Sequence, residues 1–169
     1  MKKYTWLILF VLSAFPFFNG IAQSNETTDV SAKILAPISI SETRSMHFGT
    51  ITSGTTSGSC ILAPAGTRTA SGGIVLSSST PTAASAAYSV AGNASMTYAI
   101  TLPSSAVTVT NASASTQTMT VNAFTSSKAT GTLSASGTDT FTVGATLAVS
   151  ANQGAGTYSC TFQVSVAYN

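Results

Sequence analysis

Tyr158-Ser159-Cys160-Thr161-Phe162-Gln163-Val164-Ser165-Val166-Ala167-Tyr168 is the stretch on which the fold class turns. Its larger side chains, Tyr158, Cys160, Phe162, Val164, Val166 and Tyr168, occupy every second position. A two-residue period places all six on one face of a β-strand. At about 3.3 Å per residue such a strand runs roughly 36 Å, longer than most strands. Asn152-Gln153-Gly154-Ala155-Gly156 leads into it as a turn, and Asn169 follows it. A long, one-sided strand launched from Gly156 points to assembly rather than catalysis.

The same alternation recurs upstream. Val30, Ala32 and Ile34 alternate, then Ala36, Ile38 and Ile40, with Pro37 between them. Proline cannot donate to a ladder, so this run reads as an edge strand or two short strands meeting at Pro37. Further short candidates hold Met46 and Phe48; Cys60 and Leu62; Ile74 to Leu76; Tyr88 and Val90; and Met96, Tyr98, Ile100 and Leu102. Val107 and Val109, Met119 and Val121, Phe141 and Val143, and Leu147 and Val149 complete the series. Gly54-Thr55-Thr56-Ser57-Gly58 reads as a loop, and Gly144 as a break between the last two pairs. Short strands spaced by Gly, Ser, Asn and Pro clusters predict an all-β protein: a single Ig-like β-sandwich of short antiparallel strands. No internal repeat and no second domain is visible.

The N-terminal residues carry a targeting pattern. Lys2 and Lys3 precede an apolar run over residues 6–18, broken only by Ser13 and Pro16, and Gly20-Ile21-Ala22 ends it with small residues. Residues 1–22 therefore read as a secretory signal peptide, with an uncleaved anchor as the rival reading. No Cys stands beside the cleavage site, which argues against a lipoprotein. The run is short for a membrane span, and no later stretch is long and apolar enough, so no membrane span is expected once the signal is removed. The expected location is secreted: periplasm, outer surface or extracellular. Residues 23–35 read as a flexible N-terminal extension, and 36–169 as the sandwich domain.

Charge excludes several function classes. The full chain has six Lys and Arg against four Asp and Glu. Without Lys2 and Lys3, Lys33, Arg44, Arg68 and Lys128 balance Glu26, Asp29, Glu42 and Asp139, leaving a net charge of zero. Nothing here could neutralise a run of phosphates, so no nucleic-acid partner is expected. So little charge also leaves self-association unopposed.

Chemistry-bearing residues are few. Cys60 and Cys160 are the only cysteines, and an even pair in an oxidising compartment reads most simply as a disulfide. It would close a loop of about 100 residues, worth on the order of 4–5 kcal/mol less any native strain. Two buried free thiols are the alternative. With His47 they are too few to hold a metal, and no cofactor is expected. His47 falls on the strand face opposite Met46 and Phe48. The four acids are too scattered for a glycosidase pair. The serine of Gly54-Thr55-Thr56-Ser57-Gly58 is one position off the hydrolase elbow. The chain is not expected to be an enzyme. Asn25-Glu26-Thr27, Asn93-Ala94-Ser95 and Asn111-Ala112-Ser113 match the glycosylation acceptor pattern, which arises by chance in so Ser- and Thr-rich a chain.

Gly156 and the alternating run to the penultimate Tyr168 resemble the C-terminal motif of chaperone–usher pilus subunits. Residues 28–40, followed by Met46-His47-Phe48-Gly49-Thr50, are similar to the mature start of the spore-coat-U-like branch of those pilins, and Gly154-Ala155-Gly156-Thr157-Tyr158-Ser159 to its C-terminal region. The chain more closely resembles the secreted bacterial family called domain of unknown function 4402. Phe48-Gly49-Thr50-Ile51, Gly66-Thr67-Arg68-Thr69, the run Thr130-Gly131-Thr132-Leu133-Ser134-Ala135-Ser136-Gly137-Thr138-Asp139, and Val143-Gly144-Ala145-Thr146-Leu147 carry that resemblance.

The pilin resemblance implies a pilin-like sandwich lacking one strand, its apolar groove filled by an N-terminal extension from the next subunit. The implied donor is residues 24–35, presenting Val30, Ala32 and Ile34. The implied groove lies along the terminal strand, with Gly156, Tyr158, Phe162, Val164, Val166 and Tyr168. Each copy would donate and accept, giving a head-to-tail homo-oligomer, or one with related subunits, with a periplasmic chaperone as a further possible partner. The resulting expectation is a cell-surface, fimbria-like structural subunit. A sandwich closed by its own N-terminal strand remains open as a reading. So does a monomeric extracellular binding module, a glycan or protein adhesin, with Tyr88, Tyr98 and Tyr158 as platforms.

Overall fold

The computed structural model describes residues 23–169; the expected signal peptide, residues 1–22, lies outside them. Residues up to Lys33 and the body Ile34–Asn169 form separate units. Within the first, residues 23–33 hold no regular structure, and Val30 is 93% exposed.

The body is all-β, with eleven strands among the described residues: β1 (Ser39–Arg44), β2 (Ile51–Leu62), β3 (Arg68–Leu76), β4 (Ala86–Ala91), β5 (Thr97–Thr101), β6 (Val107–Asn111), β7 (Thr118–Ser126), β8 (Thr130–Thr132), β9 (Thr138–Val149), β10 (Tyr158–Ser159) and β11 (Ser165–Tyr168). All pair antiparallel. Eight form one curled sheet in the order β1-β4-β9-β7-β6-β10, with β2 on β9 and β3 outside β2, and three form a second sheet, β11-β5-β8.

β9 is the axis of the large sheet. Phe141, Val143, Ala145, Leu147 and Val149 alternate along it and are all buried. Fully burying such a side chain is worth roughly 1.5–3 kcal/mol, so this one strand anchors much of the core. β7 pairs along one side of β9, while β4 and then β2 follow each other along the opposite side. That fork curls the sheet and divides the core. One cluster gathers Cys60, Ile74, Val109, Val121, Ala145, Leu147 and Val149. The other gathers Ala86, Tyr88, Val90, Tyr98, Leu133, Phe141 and Val143, and is covered by the small sheet. Met46 and Phe124 pack against both.

Four sequence expectations are corrected here. Among the described residues no strand precedes Ser39, and Pro37 sits just ahead of β1. Gly54 to Gly58 is not a free loop but part of β2, where the register with β3 shifts between Ser53 and Gly58, so the extra residues bulge within the strand. Gly144 does not break β9, because its neighbours are paired on both sides. The expected strand at Met46 and Phe48 reduces to one bridge, His47 with Ala84. Arg68 holds that segment, its guanidinium donating to the carbonyls of Phe48 (2.7 Å), Thr50 (3.2 Å) and Ser77 (2.7 Å). His47 is exposed between half-buried Met46 and Phe48, as the alternation predicts.

Candidate functional site

The terminal segment is the least conventional part of the fold. Gly156, at φ +154°, enters it, and a Cβ there would meet the Asn111 side chain. Only glycine suits both that angle and that approach. The Tyr158 side chain is half-buried against the first core cluster. Its hydroxyl accepts from Gln153 Nε2 at 2.8 Å and lies 2.7 Å from the Gly154 carbonyl oxygen and 3.0 Å from Gln117 Oε1. β10 then joins the large sheet, pairing Tyr158 with Asn111 and Ser159 with Thr110. β11 joins the small sheet, pairing Ser165 with Thr101 through to Tyr168 with Tyr98.

The single long strand expected over residues 158–168 is therefore two strands in two sheets. The segment runs back along β6 and then β5, but the two sides differ in length. Between the paired ends lie eight residues on the β5–β6 side, 102–109, and five on the terminal side, 160–164. Three surplus residues cannot stay in register, and Pro103 among them offers no N–H. The surplus arches away, and the backbone of 160–164 makes no hydrogen bond among the described residues.

Two clefts flank this unpaired stretch. One, of about 520 Å³, lies under the arch, between Leu102, Pro103 and Val107 on one side and Phe162 and Gln163 on the other. The second, of about 470 Å³, separates Phe162, Gln163, Val164 and Ser165 from Ile40 and Glu42 of β1 and Tyr88 of β4. Among the described residues β1 pairs only with β4 and β11 only with β5, so both strands bordering this second cleft have a free edge there. The walls are antiparallel. Phe162 to Ser165 share the cleft with Ile40 and Glu42, whereas Tyr168, further on, donates its hydroxyl hydrogen to the carbonyl of Ala36 at 3.1 Å.

The floor of this seam is apolar. Phe162, Val164, Val166 and Tyr168 pack against the second core cluster together with Ile38 and Ile40, all only half-buried. Phe162 also packs on Phe124, with ring centroids 4.9 Å apart. Glu42 is the one charged side chain lining the cleft. Burial, and then the Glu42 carboxylate, push the Tyr88 phenol above its ordinary pKa. Tyr168 closes one end of the seam, its hydroxyl also accepting from the Asn93 N–H at 2.7 Å. The sequence reading did not include Ile40, Glu42 and Ala36, which form the opposite wall. The Ile38 and Ile40 alternation was the signal for it.

The cysteines do not meet. Cys60 is fully buried in the first cluster, Cys160 is exposed, and both are free thiols. The expected bridge assumed that Cys160 keeps the inward parity of Tyr158. The ladder ends at Ser159, and the inward alternation resumes only at Phe162. Burial raises the Cys60 thiol pKa, partly opposed by Arg68.

The proposed donor side chains Val30 and Ile34 are each 93% exposed, and Ala32 is exposed. Tyr88 and Tyr98 are buried and Tyr158 is half-buried. The Tyr98 hydroxyl donates to Asp139 at 2.9 Å, and Lys128 reaches both carboxylate oxygens of Asp139 at 2.8 and 2.9 Å. Burial opposes ionisation of Asp139, but hydrogen bonds from Lys128, Thr140 and Tyr98 outweigh it and hold the carboxyl below its ordinary pKa. This group ties β5 and β9 together. Among the described residues no set of His, Cys, Asp or Glu is grouped to hold a metal ion.

No curated protein and no solved structure matches this chain. Residues 38–168, from the last residue before β1 to the end of β11, match the family model described as Domain of unknown function (DUF4402), and the chain belongs to that family.

Proposed function

We propose that the protein is a secreted cell-surface structural subunit, fimbria-like, that assembles head to tail by strand addition. The observation that carries this reading is the seam between β1 and residues 160–168. It combines two free strand edges, an unpaired backbone and a half-covered apolar floor. An extended segment laid into it would hydrogen-bond to exposed ladder groups and cover Phe162, Val164 and Ile40. Free edges of this kind are a standing hazard unless something occupies them.

The occupant is residues 24–35 of a second copy. They hold no secondary structure of their own, and Val30, Ala32 and Ile34 present one apolar face at strand spacing. Every copy carries one donor segment and one acceptor seam, made of different residues, so the contact is heterologous and propagates. From residue 23 onward Lys33, Arg44, Arg68 and Lys128 balance Glu26, Asp29, Glu42 and Asp139, so no net charge opposes it.

The test is the oligomeric state of the chain from residue 23 onward, with and without residues 24–35. The expected result is a concentration-dependent ladder that survives mild detergent, collapses on heating and disappears on deletion. A monomer at all concentrations, indifferent to the deletion, overturns the reading.

A further inference from the structure

Ile38, Ile40 and Glu42 stand at alternate positions along one wall of the seam. In the β1–β4 ladder Ile40 lies opposite Val90 and Glu42 opposite Tyr88, and both partners are buried. Glu42 therefore shares the inward face, yet it is exposed where Ile38 and Ile40 are half-buried. Its carboxylate sits at the edge of an apolar floor, still reached by water.

Every cation from residue 23 onward is committed or turned away. Among the described residues Lys128 with Asp139 is the only ion pair. Arg44 donates from Nε to the Ser85 carbonyl at 2.9 Å and from Nη2 to the Ser85 hydroxyl at 3.1 Å. Arg68 is held by the carbonyls of Phe48, Thr50 and Ser77. Lys33 belongs to the donor segment at an odd position, so a strand that turns Val30, Ala32 and Ile34 to the floor turns Lys33 outward.

The donor's apolar side chains match the inward positions Ile38, Ile40 and Glu42 in number and spacing. Seating all of them sets Ile34 beside Glu42 if the donor runs parallel to β1, and Val30 beside it if the donor runs the other way. In both cases an aliphatic side chain covers the carboxylate. Burying a charge without a partner is costly, and protonation removes that cost. We propose that assembly through this seam is coupled to proton uptake by Glu42, so that mild acid promotes the contact. This inference rests on the strand-addition reading and adds the regulation of the same site. The assembled form binds the proton more tightly than the separate copies do, so by linkage a fall in pH shifts the equilibrium toward assembly.

The groups that face Glu42 do not supply another titration in this range. The Tyr88 phenol, raised by burial and then by Glu42, stays neutral in acid. Phe162, Gln163, Val164 and Ser165 across the cleft carry no titratable side chain. On the donor, Glu26 shares the inward parity and Asp29 the outward one. His47, the chain's one histidine, lies on the bridge with Ala84 and does not line the cleft.

The experiment follows assembly of the chain from residue 23 onward by sedimentation velocity, at about pH 7 and at about pH 5, just above the ordinary carboxylate range. The concentration at half-assembly is expected to fall about tenfold on acidification. Glu42→Gln should assemble at the higher pH as readily as the native chain does at the lower, with little further change. Glu42→Thr, which removes the carboxylate with a strand-favouring side chain, should behave in the same way. A chain carrying Glu26→Gln and Asp29→Asn should keep the native pH dependence, whatever its affinity. Equal assembly of the native chain at both pH values, a pH dependence that survives both Glu42 variants, or one that vanishes with the donor acids overturns the proton coupling and leaves strand addition intact. No assembly at either pH, or assembly that persists without residues 24–35, overturns both.

Discussion

β9 and the terminal segment are two alternating apolar runs of nearly equal length with opposite fates. β9 continues unbroken from Thr138 to Val149, even through Gly144, and its five inward side chains are all buried. The terminal run splits into β10 and β11, and its inward residues from Phe162 to Tyr168 are only half-buried. The difference lies in neighbours. β9 has ladder partners on both sides, whereas the terminal run has one, and that partner is three residues too long between its paired ends. Alternation determines which way side chains face; a strand forms only where a neighbour supplies hydrogen bonds in register.

The comparison can be broken most directly by matched truncations. Phe141→Ala on β9 should cost about 3–5 kcal/mol, and Val164→Ala on the terminal run about 1 kcal/mol or less. Urea unfolding of the two variants measures both, and equal losses would mean that the terminal run is as well covered as β9. The next largest effect belongs to the join between β5 and β8. The Tyr98 ring lies on Gly131, where a Cβ would collide with it. Gly131→Ala should therefore destabilise by about 1–3 kcal/mol, seen as a lower urea midpoint.

The Asp139 group sharpens the contrast through pH. Its folded pKa is depressed, so its contribution is present above the ordinary carboxylate range and is lost as pH falls through the folded value. The Tyr98 phenol is raised in the fold, by burial first and then by Asp139. Its contribution is full below about pH 10 and declines as pH climbs toward the folded value. Thermal melts of the wild type should thus soften at both extremes. Asp139→Asn should start from a lower melting temperature and lose less on acidification below about pH 4. The smallest effect concerns the thiols. Cys160 should react with a thiol reagent in the folded protein and Cys60 only on unfolding, while Cys160→Ser should shift stability by about 0.5 kcal/mol or less. An intact mass showing two fewer hydrogens and no reactive thiol would mean that Cys160 turns inward to meet Cys60 and that residues 160–164 do not hold it at the surface.

The strand-addition reading predicts one further change. Amides of residues 160–164, unpaired in the isolated chain, should exchange with solvent much faster than those of β9, and should become protected on assembly. Hydrogen exchange on the two states measures it.

The all-β class, the inward faces of Cys60, Tyr88, Tyr98, Val109, Val121 and Phe141, the exposed His47 and the scarcity of charge all follow from the order of residues alone. Side-chain parity and composition are local properties and need no knowledge of the partner strand. The split at residues 160–164, the outward turn of Cys160, the continuity of β9 through Gly144 and the bulge at Gly54 to Gly58 were decided by tertiary structure. Each depends on how many residues the neighbouring strand places opposite, a count set by pairs distant in the chain. The seam itself is of this kind: its walls, Ile40 and Val164, lie at opposite ends of the body and become one site only when the two sheets close over a common core.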